Sequence, residues 1–209
     1  MMRSLRLATA LAAVLVSAAA AAQEAAPPLP EDPRAPRFRE IERGFFAGME
    51  AGWMGFFQTP TSEPARYPAA GQGGGFSSGM HLALTCGGDI GERVSVALLI
   101  LGVTQEASIS YGAFSLVGGG GDVRVNLGGL RDSQQVARTF FYAHARGAWF
   151  VTEPHGIFGK TDVLVGGGVG VEYFTRLRHF SVGLALDGLY ALKAKSAGIA
   201  VAPTLRYTF

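Results

Sequence analysis

From Phe45 to the final residue, Phe209, the apolar residues recur with a period of two wherever the pattern is regular. No apolar run in that stretch is continuous over the roughly 20 residues that a membrane-crossing helix needs. A period of two is the signature of strand, because successive side chains point to opposite faces of a sheet. If such a chain crosses a membrane it must do so as a closed barrel, since lipid offers no partner for the N–H and C=O groups of an open sheet edge. The pattern therefore predicts an all-β fold, an antiparallel transmembrane β-barrel of eight strands over residues 45–209.

Eight segments carry the alternation. Phe45 to Phe57 sets Phe45, Met49, Trp53 and Phe57 against Phe46, Gly48, Glu50 and Gly52. Phe76 to Cys86 sets Phe76, Met80, Leu82, Leu84 and Cys86 against Ser77, Gly79, His81 and Thr85. Glu92 to Val103 is apolar on both faces after Arg93, which leaves its register open. Phe114 to Leu127 sets Val117, Val123, Val125 and Leu127 against Asp122, Arg124 and Asn126. Arg138 to Val151 sets Phe141, Ala143, Ala145, Trp149 and Val151 against Tyr142, His144 and Arg146. Asp162 to Thr175 and Phe180 to Leu192 continue the pattern, with Asp162, Glu172 and Asp187 on the polar face. In the last segment, Gly198 to Phe209, Ile199, Val201, Leu205, Tyr207 and Phe209 share one face, interrupted by Pro203. Arg206 lies on the other.

The two ends carry different information. Residues 1–22 begin with Arg3 and Arg6, continue through an apolar run from Leu7 to Val16 and finish in small residues, the layout of a cleavable secretory signal. Residues 23–44 hold Pro27, Pro28, Pro30, Pro33 and Pro36 among charges and are read as a periplasmic extension. At the C-terminus, a chain ending in Leu205, Tyr207 and a terminal Phe209 resembles the signal by which bacterial outer-membrane β-barrel proteins are recognised by their assembly machinery. The whole of 45–209 resembles the small eight-stranded outer-membrane barrels by pattern. That resemblance implies outer-membrane lipid and the barrel assembly machinery as partners. The first strand, Gly44-Phe45-Phe46-Ala47-Gly48 with Gly52-Trp53-Met54, is also similar to that of small barrels of myxobacterial adventurous gliding motility, which implies a partner complex in the envelope.

An even strand number places both termini on one side, expected to be the periplasm. Gln58 to Gln72, Thr104 to Tyr111, Thr152 to Thr161 and Lys193 to Ala197 would then be extracellular. Gly87 to Gly91, Gly128 to Ala137 and Arg176 to His179 would be periplasmic turns, the second of them long for that role. A soluble β-sandwich or lipocalin-like barrel has the same alternation with its apolar face turned inward.

If the apolar face meets lipid, the lumen receives Glu50, Asp122, Glu172 and Asp187 together with Arg93, Arg124, Arg146, Arg206, His81 and His144. Opposite charges are expected to pair there and close the lumen, because an unpaired buried charge is destabilising. A polar pathway is the functional alternative.

The remaining motifs exclude more than they suggest. Loss of residues 1–22 leaves sixteen basic residues facing sixteen acidic ones, so no basic field points to nucleic acid. Cys86 is the single cysteine, which rules out an internal disulfide. Gly159-Lys160-Thr161 lacks the upstream glycine of a phosphate-binding loop, since Pro154 stands in its place. Gly118 to Gly121 and Gly166 to Gly170 run into strand, with Val123 and Val171 where a dinucleotide fingerprint wants glycine. His179-Phe180-Ser181 resembles the His-x-Ser of outer-membrane lipid A deacylases, but it falls by a periplasmic turn. His81, His144 and His155 show no metal-ligand spacing. The expected function is non-enzymatic and needs no cofactor: a structural or interaction component of the envelope, with a small passive channel as the alternative.

Overall fold

The computed structural model describes residues 42–59, 75–107, 113–132, 136–155, 157–175, 177 and 179–209. The expected signal 1–22, nearly all of the Pro-rich extension and most of the connection from Gln58 to Gln72 lie outside the described residues. Eight strands follow one another: β1 (Phe45–Phe56), β2 (Ser77–Ile90), β3 (Val94–Ala107), β4 (Ala113–Arg131), β5 (Ala137–Glu153), β6 (Thr161–Phe174), β7 (Phe180–Ala191) and β8 (Ser196–Thr208). Each pairs antiparallel with the next, and β8 returns to β1 to close the barrel.

The stagger follows from the register. Stepping across partners from Phe45 through Gly88, Val96, Val123, Ala145, Gly167, Gly188 and Ile199 returns to β1 at Gly55, ten residues further along. With a rise of about 3.3 Å per residue and strands about 4.8 Å apart, that stagger tilts the strands by roughly 40° and gives a backbone radius of about 8 Å. Such an interior is just wide enough for side chains to fill it.

Two turns differ from the sequence reading, and one register left open is settled. β2 runs past Cys86 to Ile90, which pairs with Val94, so the expected turn at Gly87 to Gly91 moves down the chain to Gly91, Glu92 and Arg93. Gly91 takes the left-handed conformation the turn requires, with φ at +66°. Arg93 consequently sits exposed in the turn and is not a lumen residue. β4 continues through register shifts at Asn126/Gly128 and Leu130/Arg131. The long connection expected at Gly128 to Ala137 therefore shrinks to a turn in which Asp132 N donates to Val136 O (2.8 Å) and Val136 N donates to Asp132 Oδ1 (3.0 Å). The register left open in the third segment is now assigned: Val96, Leu98 and Ile100 point out, while Ser95, Ala97, Leu99, Leu101 and Gln105 point in.

In β8, Pro203 has no N–H to give, and the β1–β8 ladder skips it between the Glu50–Thr204 and Trp53–Val201 pairs. Gly52 faces this gap, where a Cβ would stand 2.2 Å from Val201 O. Only glycine lets the two strands approach so closely there.

The two faces of the sheet decide between the membrane and the soluble alternative. Outward residues on every strand are large and apolar, among them Leu98 (74% exposed), Met80 (71%) and Leu127 (65%). A belt of this kind encircles the barrel and far exceeds the apolar patches that soluble monomers expose. Aromatic side chains border it at both ends: Trp53, Phe57 and Phe76 near the long connections, and Phe45, Tyr207 and Phe209 near the termini. Charged side chains are instead turned into the lumen, the reverse of a soluble barrel.

Candidate functional site

The lumen has two halves of opposite chemistry. Near the termini the inward positions of β1, β4, β5, β6 and β7 carry charge, because alternation sends each to the same side of the sheet. Arg146 is the centre. Its Nη1 and Nη2 donate to Glu50 Oε2 (2.8 Å) and Oε1 (3.0 Å), a two-pronged contact across the barrel between residues 96 apart in sequence. Its Nε lies 3.2 Å from Asp122 Oδ2, and Nη1 lies 3.6 Å from Asp187 Oδ2. His144 stands between the same two aspartates, with Nδ1 3.0 Å from Asp122 Oδ2 and Nε2 2.6 Å from Asp187 Oδ1. Both side chains are almost wholly buried.

Two further groups complete this half. Arg124 pairs with Glu172, and its guanidinium lies 3.7 Å from the centre of the Tyr142 ring. Ser181 Oγ donates to Glu172 Oε1 at 2.6 Å. Arg206 reaches both oxygens of Asp89 at 2.6 Å and lies 3.7 Å over the Phe46 ring. Ser95 Oγ donates to Asp89 Oδ1 at 2.6 Å. A cavity of about 50 Å³ remains among Glu50, Asp122, Arg124, Glu172 and Arg206, room for a few water molecules.

Glu50, Asp122, Arg124, His144, Arg146, Glu172, Asp187 and Arg206 thus come together, and Arg93 does not. His81 is buried (2% exposed) within electrostatic reach of Glu50, Arg146 and Asp187 but forms no ion pair with them. Asp89 was missed because the sequence places a turn at Gly87 to Gly91; only the continuation of β2 turns its carboxylate inward. With Arg93 out and Asp89 in, the expected four acids against four arginines become five carboxylates facing three arginines and His144.

The other half of the lumen is mainly apolar, with Gln105 held inside it by hydrogen bonds from Ser77 Oγ and to Met54 O. Leu99, Leu101, Phe114, Leu116 and Phe150 point in, each at most 3% exposed. The connection between β5 and β6 folds back over them and inserts Ile157 (0% exposed) and Phe158 (3%). The Phe158 ring packs against Phe56, Phe114 and Phe150 at centroid distances of 4.9, 5.8 and 6.5 Å. Its backbone has φ of +57°, a conformation that bulky residues rarely adopt. The sequence gives little sign of this plug, since Ile157 and Phe158 interrupt what reads as a polar loop.

Leu205, Tyr207 and Phe209 face outward on β8, exposed by 36%, 41% and 66%. Phe209 N donates to Phe45 O at 2.8 Å, which ties the chain end into the seam. His179 stacks on Tyr207 and has Nδ1 2.5 Å from Glu42 Oε2. Ser181 is turned inward to Glu172, so the His-x-Ser pair is not assembled as base and nucleophile. Among the described residues no group of three or more His, Cys, Asp or Glu is arranged to hold a metal ion.

Comparison with solved structures agrees with this architecture. Neisserial surface protein A matches with a TM-score of 0.57 and 14% identity, over 79% of this chain and 97% of that one. OprG from Pseudomonas aeruginosa (TM-score 0.45, 12% identity, 81% and 97% covered) and Ail, the attachment invasion locus protein of Yersinia pestis (0.42, 10%, 80% and 100%), also match. No protein-family model and no curated protein sequence matches the chain. Closed stagger, inverted faces and the match to Neisserial surface protein A define the fold class: an eight-stranded antiparallel barrel of the outer-membrane type.

Proposed function

We propose that the protein is a non-enzymatic outer-membrane barrel with a closed lumen, serving as a structural or interaction component of the cell envelope. In this reading residues 1–22 are removed on export, both termini lie in the periplasm, and the last strand is read by the barrel assembly machinery. The observation that carries it is the filling of the lumen. An aqueous path would have to pass both the Arg146 ion-pair group and the plug of Ile157 and Phe158, which are buried on opposite halves of the interior. Single-channel recording of the refolded protein in planar bilayers tests this: no discrete conductance is expected. Stable unitary steps would overturn it in favour of a passive channel for small or hydrophobic solutes.

A place in a gliding-motility complex is the narrower form of this reading, supported by the likeness of the first strand alone. The glycines of that strand also answer to the barrel itself, since a Cβ on Gly48 would stand 2.5 Å from Thr85 Oγ1. Unchanged gliding in a motile host lacking the protein would remove the narrower assignment and leave the broader one standing.

A further inference from the structure

All three lysines of the 209-residue chain, Lys160, Lys193 and Lys195, stand at one end of the barrel, whereas its fifteen other basic residues are arginines. Lys160 ends the connection between β5 and β6, and Lys193 and Lys195 lie in the turn between β7 and β8. These two connections are neighbours: Leu192 N donates to Val163 O at 3.0 Å, and Lys193 Nζ donates to Thr161 O at 3.1 Å, beside Lys160. All three lysines are exposed.

None of them has a carboxylate partner among the described residues. Asp162, the acid nearest in sequence to Lys160, is fully buried, and its carboxylate is taken up by backbone N–H groups, two of them in the turn that carries Lys193 and Lys195. It accepts from the backbone N–H groups of Val163 (2.6 Å), Lys193 (2.8 Å) and Ala194 (2.9 Å). Glu153 is turned to His155, at 3.3 Å. Among the described residues the patch therefore presents three exposed ammonium groups with no carboxylate paired to them. It borders the apolar belt directly, since Leu192 (47% exposed), Tyr190 (41%) and Trp149 (54%) face outward just below it. Lysine stems lie on apolar surface while their ammonium groups reach the level of lipid headgroups.

We propose that Lys160, Lys193 and Lys195 form a binding surface for the phosphate groups of an anionic glycolipid of the outer leaflet, with its acyl chains lying along Trp149, Tyr190 and Leu192. The inference rests on the reading above, in which these connections are at the cell surface. Charge and continuity with the belt favour a lipid over a soluble anion, because the partner must meet a positive rim and an apolar wall together. Each lysine near an anionic headgroup should strengthen binding about fivefold, and three together roughly 100-fold.

The test uses the full mature chain refolded in zwitterionic detergent, titrated with diphosphorylated lipid A and with its dephosphorylated form. The triple variant K160Q/K193Q/K195Q should bind the phosphorylated lipid about 100-fold more weakly than the unaltered protein. K160R/K193R/K195R should stay within a few-fold, and the dephosphorylated lipid should not distinguish the three proteins. Equal affinity of the unaltered and Gln proteins, both folded by heat-modifiable migration, would overturn the proposal. So would full competition by inorganic phosphate at the lipid's own concentration, which would assign the surface to free phosphate. Failure of the unaltered protein to insert into lipid vesicles would instead overturn the envelope-barrel reading, and the detergent titration would still decide the lysine surface.

Discussion

Removing the guanidinium of Arg146 should leave Glu50 without its counter-charge and Asp122 and Asp187 with His144 alone. The Arg146 fork donates to both oxygens of Glu50 at 2.8 and 3.0 Å, and Asp122 and Asp187 lie within 3.2 and 3.6 Å; the side chain is only 7% exposed. Breaking a buried pair of this kind costs about 3 to 5 kcal/mol. Two hydrogen bonds to a charged group, at about 1.5 to 3 kcal/mol each, lead to a similar figure. The adjoining cavity lets water reach the stranded acids, so Arg146→Ala should fall near the lower end, about 3 kcal/mol. Arg146→Lys keeps the charge without the planar fork and should lose roughly half as much. In Glu50→Ala/Arg146→Ala the two losses should overlap by about 2 kcal/mol, because each single change breaks the same contact. Urea unfolding of the vesicle-inserted barrel measures the unaltered protein, the two Arg146 variants, Glu50→Ala and the double variant. Trp53 and Trp149, the only tryptophans, both face outward and report departure from lipid by their emission. A loss below about 0.5 kcal/mol for Arg146→Ala, the scale of an ordinary surface change, with no coupling to Glu50, would refute the account of the lumen.

Four other outcomes are expected. Phe158→Ala should lower stability by about 3 kcal/mol in the same urea assay, since it empties a site packed by three other rings. Gly168→Ala should reduce refolding yield, at about 1 to 3 kcal/mol; its Cβ would lie 2.0 Å from Leu186 O and 2.4 Å from Asp187 Oδ1. Deleting Phe209, or making Tyr207 and Phe209 polar, should lower the folded outer-membrane level measured by heat-modifiable migration more than a change at outward Thr104. Thr208 is no neutral comparison, being inward and 1% exposed. A tag inserted between Pro64 and Pro68 should be labelled on intact cells, and one between Ala25 and Pro36 should not; the opposite pattern would reverse the orientation.

The sequence by itself determined that there are eight strands and, in all but the third, the parity of their faces. Side chains alternate along any extended chain, so Glu50, Asp122, His144, Arg146, Glu172 and Asp187 had to share one face and Val123, Trp149 and Tyr207 the other, whatever the partners. Strand ends were less legible because they depend on pairing: Gly87 to Asp89 read as a turn until their partners Ala97 to Ser95 extended the ladder. That extension brought Asp89 into the lumen and left Arg93 outside it. The plug was hidden for a similar reason, since nothing local tells Ile157 and Phe158 to fold back onto Phe56, Phe114 and Phe150. The tertiary structure alone decided which inward charges meet. Glu50 reaches Arg146 across 96 residues because eight strands close with a stagger of ten, and that stagger is a condition on the whole ring of strand pairs, met by no single strand.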